Sequence, residues 1–134
     1  MVTTGAVHRS LPLVQQPGSA AQARRFTSAL VDDLGLGCGF GLGLVVSELV
    51  TNAVRYGDAP IKLAIHASAD RVRVEVTDAS PVLPEMSIAP PDAISGRGIG
   101  LVDSIADSWG VRRLPDQGKV VWAEVDPGEP TSLD

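Results

Sequence analysis

Apolar residues recur along this chain with two periods, and the points where the period changes mark its elements. From Ala20 to Leu34 the residues Ala23, Phe26, Leu30 and Leu34 return at three- and four-residue steps, the spacing of one helical face. Pro17-Gly18-Ser19 precedes this run as a turn, with Ser19 as the candidate N-cap. A second stripe, Leu42, Val45, Val46, Leu49, Val50 and Ala53, predicts a helix from about Leu42 to Tyr56. Gly57-Asp58-Ala59-Pro60 stops it, with Gly57 at C′. The period then falls to two. Ile61 to Ala67 and Arg71 to Thr77 alternate apolar and polar residues, and Ser68-Ala69-Asp70 joins them as a hairpin. Gly98 to Ser108 returns to helical spacing, with Ile99, Val102, Ile105 and Ala106 inward. Val111 to Arg113 and Lys119 to Val125 predict two further strands, linked at Pro115-Asp116-Gln117-Gly118. Arg9 to Val14 predicts a short edge strand, since Pro12 cannot donate to a ladder.

These elements predict an α+β domain: a mixed, mostly antiparallel sheet covered on one face by about three helices. Residues 1–8 are expected to be a disordered N-terminus and 127–134 a disordered tail, leaving 9–126 as one domain. Ala79 to Gly96 holds four prolines and no periodicity, so it predicts a long loop of the kind that is either functional or disordered.

Composition narrows the class. Hydrophobic residues make up 44% and aromatics only 4%, so the core must be aliphatic. The formal net charge of −5 leaves no phosphate-neutralising excess, which argues against nucleic acid and anionic membrane surfaces as partners. One cysteine, Cys38, cannot form an internal disulfide, and the two histidines are too far apart in sequence to suggest a metal cluster. No apolar run approaches a membrane span, and the N-terminus lacks the pattern of a secretory signal, so a cytoplasmic protein is expected.

Three segments carry candidate chemistry. Glu48 and Asn52 stand four residues apart, on one helical face. A carboxylate beside an amide suits the positioning of a hydroxyl and a hydrated cation; a solvated helix face carries such pairs too. Asp78 ends a strand, where a carboxylate can accept from an exocyclic amine or simply close an Asx-turn. Gly96-Arg97-Gly98-Ile99-Gly100 leads into a helix. Its backbone could approach a phosphate closely, with Arg97 adding charge, or it could be a hinge. The run from Gly35 to Gly43 has neither the G-x-G-x-x-G spacing after a strand nor a Gly-Lys-Ser/Thr. It is read as a helix–helix connection whose second half begins the next helix.

Taken in order, these segments resemble the GHKL (Bergerat-fold) ATPases, and within them the anti-sigma-factor serine/threonine kinases of the RsbW and SpoIIAB type. Ser47-Glu48-Leu49-Val50-Thr51-Asn52-Ala53-Val54-Arg55-Tyr56-Gly57 resembles the N-box. Val76-Thr77-Asp78-Ala79-Ser80-Pro81 stands in the G1 position. Gly96-Arg97-Gly98-Ile99-Gly100-Leu101-Val102 is similar to the G2 box, and Gly118-Lys119-Val120-Val121-Trp122-Ala123-Glu124 to the terminal strand. The resemblance spans about Ala20 to Val125. It implies a two-layer α/β sandwich and makes 9–126 an ATP-binding, HATPase_c-like domain.

The resemblance also implies roles. Glu48 would be the general base, Asn52 the Mg²⁺ ligand facing the ATP phosphates, and Asp78 the adenine contact with Ser80 beside it. Gly96, Arg97, Gly98 and Gly100 would close over the phosphates. The implied partners are ATP, a STAS-domain anti-anti-sigma protein whose serine is phosphorylated, a sigma factor, and a second copy of the chain. Two positions depart from the family pattern: Ser80 and Val82 stand where G1 glycines are usual, and the place of a terminal-strand threonine near the adenine falls to Val120. Those departures keep open a second reading, a nucleotide-binding partner-switching module with weak or no catalysis.

Overall fold

The structure, a computed structural model, describes residues 6–83 and 97–129, with the backbone alone at 97–99. Its elements are β1 (Val7–Leu13), α1 (Gly18–Leu34), α2 (Gly39–Tyr56), β2 (Ile61–Ala67), β3 (Val72–Asp78), α3 (Arg97–Ile105), β4 (Ser108–Arg113) and β5 (Lys119–Val125). The strands form one open sheet in the order β1-β2-β3-β5-β4, and every pairing is antiparallel. The expected α+β sandwich is present, with three helices among the described residues.

Strand alternation builds one face of the core. Ile61, Leu63, Ile65 and Ala67 of β2, Val72, Val74 and Val76 of β3, and Val121, Ala123 and Val125 of β5 all turn inward and are buried. Leu42, Val45, Val46, Leu49, Val50 and Ala53 of α2 lie in the same cluster, joined by Ala23 and Leu30 of α1 and Val102 of α3. Burying each such Val, Leu or Ile contributes about 1.5–3 kcal/mol. The aliphatic core expected from the scarcity of aromatics is what packs here.

Several boundaries differ from the sequence reading, each for a local reason. Ser19 does not cap α1: it lies inside the helix, buried, and its hydroxyl donates to the Val14 carbonyl. The helix instead starts at Gly18 behind Pro17. α2 begins at Gly39, so three of its glycines fall within its first turns, where no apolar period could announce them. β4 starts at Ser108 because Ser108 and Trp109 pair with Glu124 and Ala123, a long-range contact invisible to local pattern. α3 correspondingly ends at Ile105. Between α1 and α2, Gly35 takes φ 65°, and the N–H groups of Gly35 and Leu36 donate to Asp32 and Val31, which closes α1 with a Schellman turn. After β5 the chain returns to this connection, where the Gly37 N–H donates to the Pro127 carbonyl at 3.0 Å.

Candidate functional site

Strand parity decides what stands at the end of β3. Val72, Val74, Val76 and Asp78 share the inward face, so the last position of an otherwise apolar row is a carboxylate. The antiparallel register sets Lys119, the first residue of β5, opposite Asp78. Lys119 therefore shares that face with Val121, Ala123 and Val125, while Val120 turns to the other side of the sheet. Val120, expected near the adenine, thus lies on the other sheet face from Asp78, and the residue facing Asp78 is Lys119.

Asp78 and Lys119 are both buried, and the Lys119 ammonium donates to Asp78 Oδ1 at 2.9 Å. The same oxygen accepts from the Ser80 N–H at 2.8 Å and from the Asp58 N–H at 3.4 Å. Lys119 also donates to the Ser80 carbonyl at 3.2 Å. A buried carboxylate is costly unless it is hydrogen-bonded, and these donors meet that need. All of them converge on Oδ1. Oδ2 accepts nothing from a described residue. No fully buried side-chain oxygen lacks a partner among the described residues, so Oδ2 is the Asp78 oxygen that retains access to the surface.

Gly57 makes this nest possible. It follows α2 directly with extended backbone, φ −94° and ψ −170°, and its N–H donates to the Ala53 carbonyl at 2.9 Å. A Cβ there would lie 2.6 Å from Asp78 Cγ and 2.7 Å from the Ala53 oxygen. The expected helix stop at Gly57 is therefore a close approach, the carboxylate resting on the end of α2. Gln15 ties the surrounding loop together. Its amide donates to the Gly57 carbonyl at 2.7 Å and the Val54 carbonyl at 3.2 Å, and its oxygen accepts from the Ala59 N–H at 3.2 Å. Sequence pattern gave no sign of Gln15.

Glu48 and Asn52 are half-buried on α2, away from its fully buried stripe. Neither is tied by a side-chain hydrogen bond or ion pair to a described residue, so both remain available to a ligand. Beside them the exposed Arg24 of α1 donates to Ser47 Oγ at 2.9 Å. No group of three His, Cys, Asp or Glu side chains among the described residues could hold a metal. A cation at Asn52 would take its other ligands from phosphate oxygens and water, the usual habit of Mg²⁺.

Ser80 is buried, its Oγ accepting from the Val82 N–H at 3.1 Å. These contacts shape the turn after Asp78. Gly96 lies outside the described residues. Arg97, Gly98 and Gly100 form the first turn of α3, which packs against α2. Residues 79–83 have no regular structure, and the rest of the expected long loop lies outside the described residues.

The remaining polar clusters stand apart from this end of the sheet. On the face away from the helices Arg73 pairs with Glu75 at 2.8 Å and Glu124 at 2.9 Å and stacks over Trp122 at 4.2 Å. The two histidines, distant in sequence, stack on that face with ring centroids 4.2 Å apart. Cys38 borders a small cleft at the other end of α2. Burial pushes its thiol up, a backbone hydrogen bond opposes this, and the Asp126 charge adds to it, so the thiol is a poor nucleophile. Among the described residues no helix is long and apolar enough to cross a membrane.

A family model described as a histidine kinase-like ATPase domain matches residues 13–125. Among solved structures, the RsbU and RsbW domains of Rv1364c from Mycobacterium tuberculosis align with a TM-score of 0.69 and 17% identity, covering 98% of this chain and 35% of that one. The histidine kinase domain of the blue-light activated histidine kinase from Erythrobacter litoralis EL346 aligns with a TM-score of 0.50 and 23% identity, covering 81% of this chain and 60% of that one. The chain thus spans less than two thirds of either, and at these identities the likeness is one of fold. No curated protein sequence matches the chain.

Proposed function

Because the chain belongs to the histidine kinase-like ATPase domain family, we propose that it binds ATP with Mg²⁺ as a regulatory kinase of the anti-sigma type. In this reading it phosphorylates a serine of a STAS-domain partner and binds a sigma factor. The observation that carries the reading is the order of three side chains along α2. Asp78 rests on its C-terminal end at Gly57, Asn52 stands about 7 Å back along the axis, and Glu48 about 6 Å further. A nucleotide with its base at Asp78 would lay its phosphates toward Asn52 and its terminal phosphate toward Glu48.

The chemistry of each residue fits that order. Asp78 Oδ2 accepts from the exocyclic amine of adenine. The Asn52 amide oxygen is a hard ligand suited to Mg²⁺, which when bound neutralises phosphate charge. Glu48 accepts the proton of the attacking serine hydroxyl. The N-terminal turn of α3, with Gly98 and Gly100, would offer backbone N–H groups to the phosphates, Gly96 and the Arg97 guanidinium would join them from the sequence that leads into it, and Ser80 fixes the turn beside the base. Among the described residues β1 is an edge strand of the sheet, where a second copy would pair. A cytoplasmic location goes with this reading.

A second reading, a nucleotide-binding partner-switching module with weak or no catalysis, draws support from the ammonium already seated on Asp78 and from Ser80 and Val82 in place of glycines. Calorimetry with ATP, with and without Mg²⁺, followed by γ-phosphate transfer to STAS partners, tests both. Transfer to a serine supports the kinase, and tight binding without transfer supports the module. Failure to bind any adenine nucleotide overturns the two together.

A further inference from the structure

Lys119 is the charged residue of this site to which the proposed reaction gives no task. Its position is well determined: the stem is buried, and Nζ is pinned by Asp78 Oδ1 at 2.9 Å and the Ser80 carbonyl at 3.2 Å. An ammonium has three N–H donors in tetrahedral arrangement. Two are directed by those contacts, so the direction of the third is set as well. The adjacent acceptor, Asp78 Oδ2, takes no hydrogen bond from a described residue and keeps access to the surface. An acceptor, Asp78 Oδ2, and a charged donor, the Lys119 ammonium, thus belong to one strand pair whose register sets the two residues opposite each other.

We propose that Lys119 is a base-specificity residue, donating its remaining N–H to N1 of adenine while Asp78 Oδ2 accepts from the N6 amine. The inference rests on the ATP reading above and goes beyond it in assigning the second half of the base contact. The Watson–Crick edge of adenine offers a donor at N6 beside an acceptor at N1, the complement of an Asp–Lys pair. Guanine offers the reverse order, an acceptor at O6 beside a donor at N1, and would set N1–H against the ammonium. A buried pair rejects a mismatched edge strongly, because the mismatch leaves its polar groups unpaired. Val120, on the opposite sheet face, cannot take this part.

The test compares ATP with 1-deaza-ATP, in which a C–H replaces N1, by calorimetry on the wild-type protein and on Lys119→Met. The wild type should bind the analogue at least about tenfold more weakly, as expected for loss of a hydrogen bond to a charged group. In K119M the ratio should fall to about one. A wild-type ratio near one, or a ratio that persists in K119M, overturns the proposal. A merely structural Lys119 would weaken both ligands together and leave the ratio unchanged. If K119M does not fold, NMR of the wild-type ATP complex decides: a nuclear Overhauser contact between the Lys119 ε-methylene and adenine H2 supports the proposal, and its absence overturns it. If the wild type binds no ATP, the underlying reading has failed, a result separate from a ratio of one.

Discussion

Lys119 reaches across the β3–β5 pair to set its ammonium 2.9 Å from Oδ1 of Asp78, with both side chains buried. Removing either partner strands the other where water scarcely reaches. Asp78→Ala and Lys119→Ala should each lower stability by about 3–5 kcal/mol, measured by urea denaturation. The double variant should lose much less than the sum, because neither charge is then left alone. Additive losses would mean that the pair is not coupled in the folded protein.

Two glycines of the same helix region should answer an alanine in opposite ways. Gly57→Ala drives a Cβ to 2.6 Å from Asp78 Cγ and 2.7 Å from the Ala53 oxygen, so the carboxylate or the helix end must move. Both stability and nucleotide affinity should fall. Gly43 is inside α2 with nothing within 4 Å of a Cβ, so Gly43→Ala should raise stability by about 0.5–1 kcal/mol through helix propensity alone. Thermal melts of the two variants, run side by side, check the contrast.

The fold was legible wherever burial imposes a period. Val72, Val74 and Val76 announced β3, and Leu42 to Ala53 announced α2. What escaped was set by distant contacts. Gln15 clamps a loop about forty residues away, and β4 is extended by its pairing with β5. Lys119 shows the difference most clearly. Parity along β5 already placed 119, 121, 123 and 125 on one face, yet only the register with β3 reveals that this face ends at Asp78. The candidate pair Glu48 and Asn52 was readable from helical spacing, since spacing alone puts them on one face. Their relation to Asp78 required Gly57, whose part is a close approach and not the left-handed turn expected at a helix stop.

Acid should weaken the far face of the sheet through Glu75. Burial pushes the Glu75 carboxyl up, but the hydrogen bond and charge of Arg73, with His66 and Arg112, outweigh it and hold the group below its ordinary value. The unfolded chain, with its Glu near about 4.3, then binds the proton more readily than the folded one. The stabilising contribution is complete above that pH and is lost as the pH falls through the folded value. Glu75→Gln should flatten the decline of stability between about pH 5 and 3. Denaturation midpoints across that range measure it, and an unchanged slope would show that Glu75 is not a source of the acid sensitivity.

Glu48 and Asn52 should separate binding from turnover. The proposed role of Glu48 begins only when a hydroxyl gives up its proton, so Glu48→Gln keeps the shape and leaves ATP affinity within about twofold. Transfer should fall by about 10²–10⁴-fold, the usual worth of a positioned base. Asn52 acts earlier. Asn52→Ala removes the one protein oxygen proposed for the cation, so the gain in ATP affinity on adding Mg²⁺ should disappear while Mg²⁺-free binding stays. Calorimetry with and without Mg²⁺ and single-turnover phosphate transfer read the two effects independently. A Glu48→Gln variant that transfers phosphate at the wild-type rate would remove the carboxylate from the chemistry and leave α2 a binding element only.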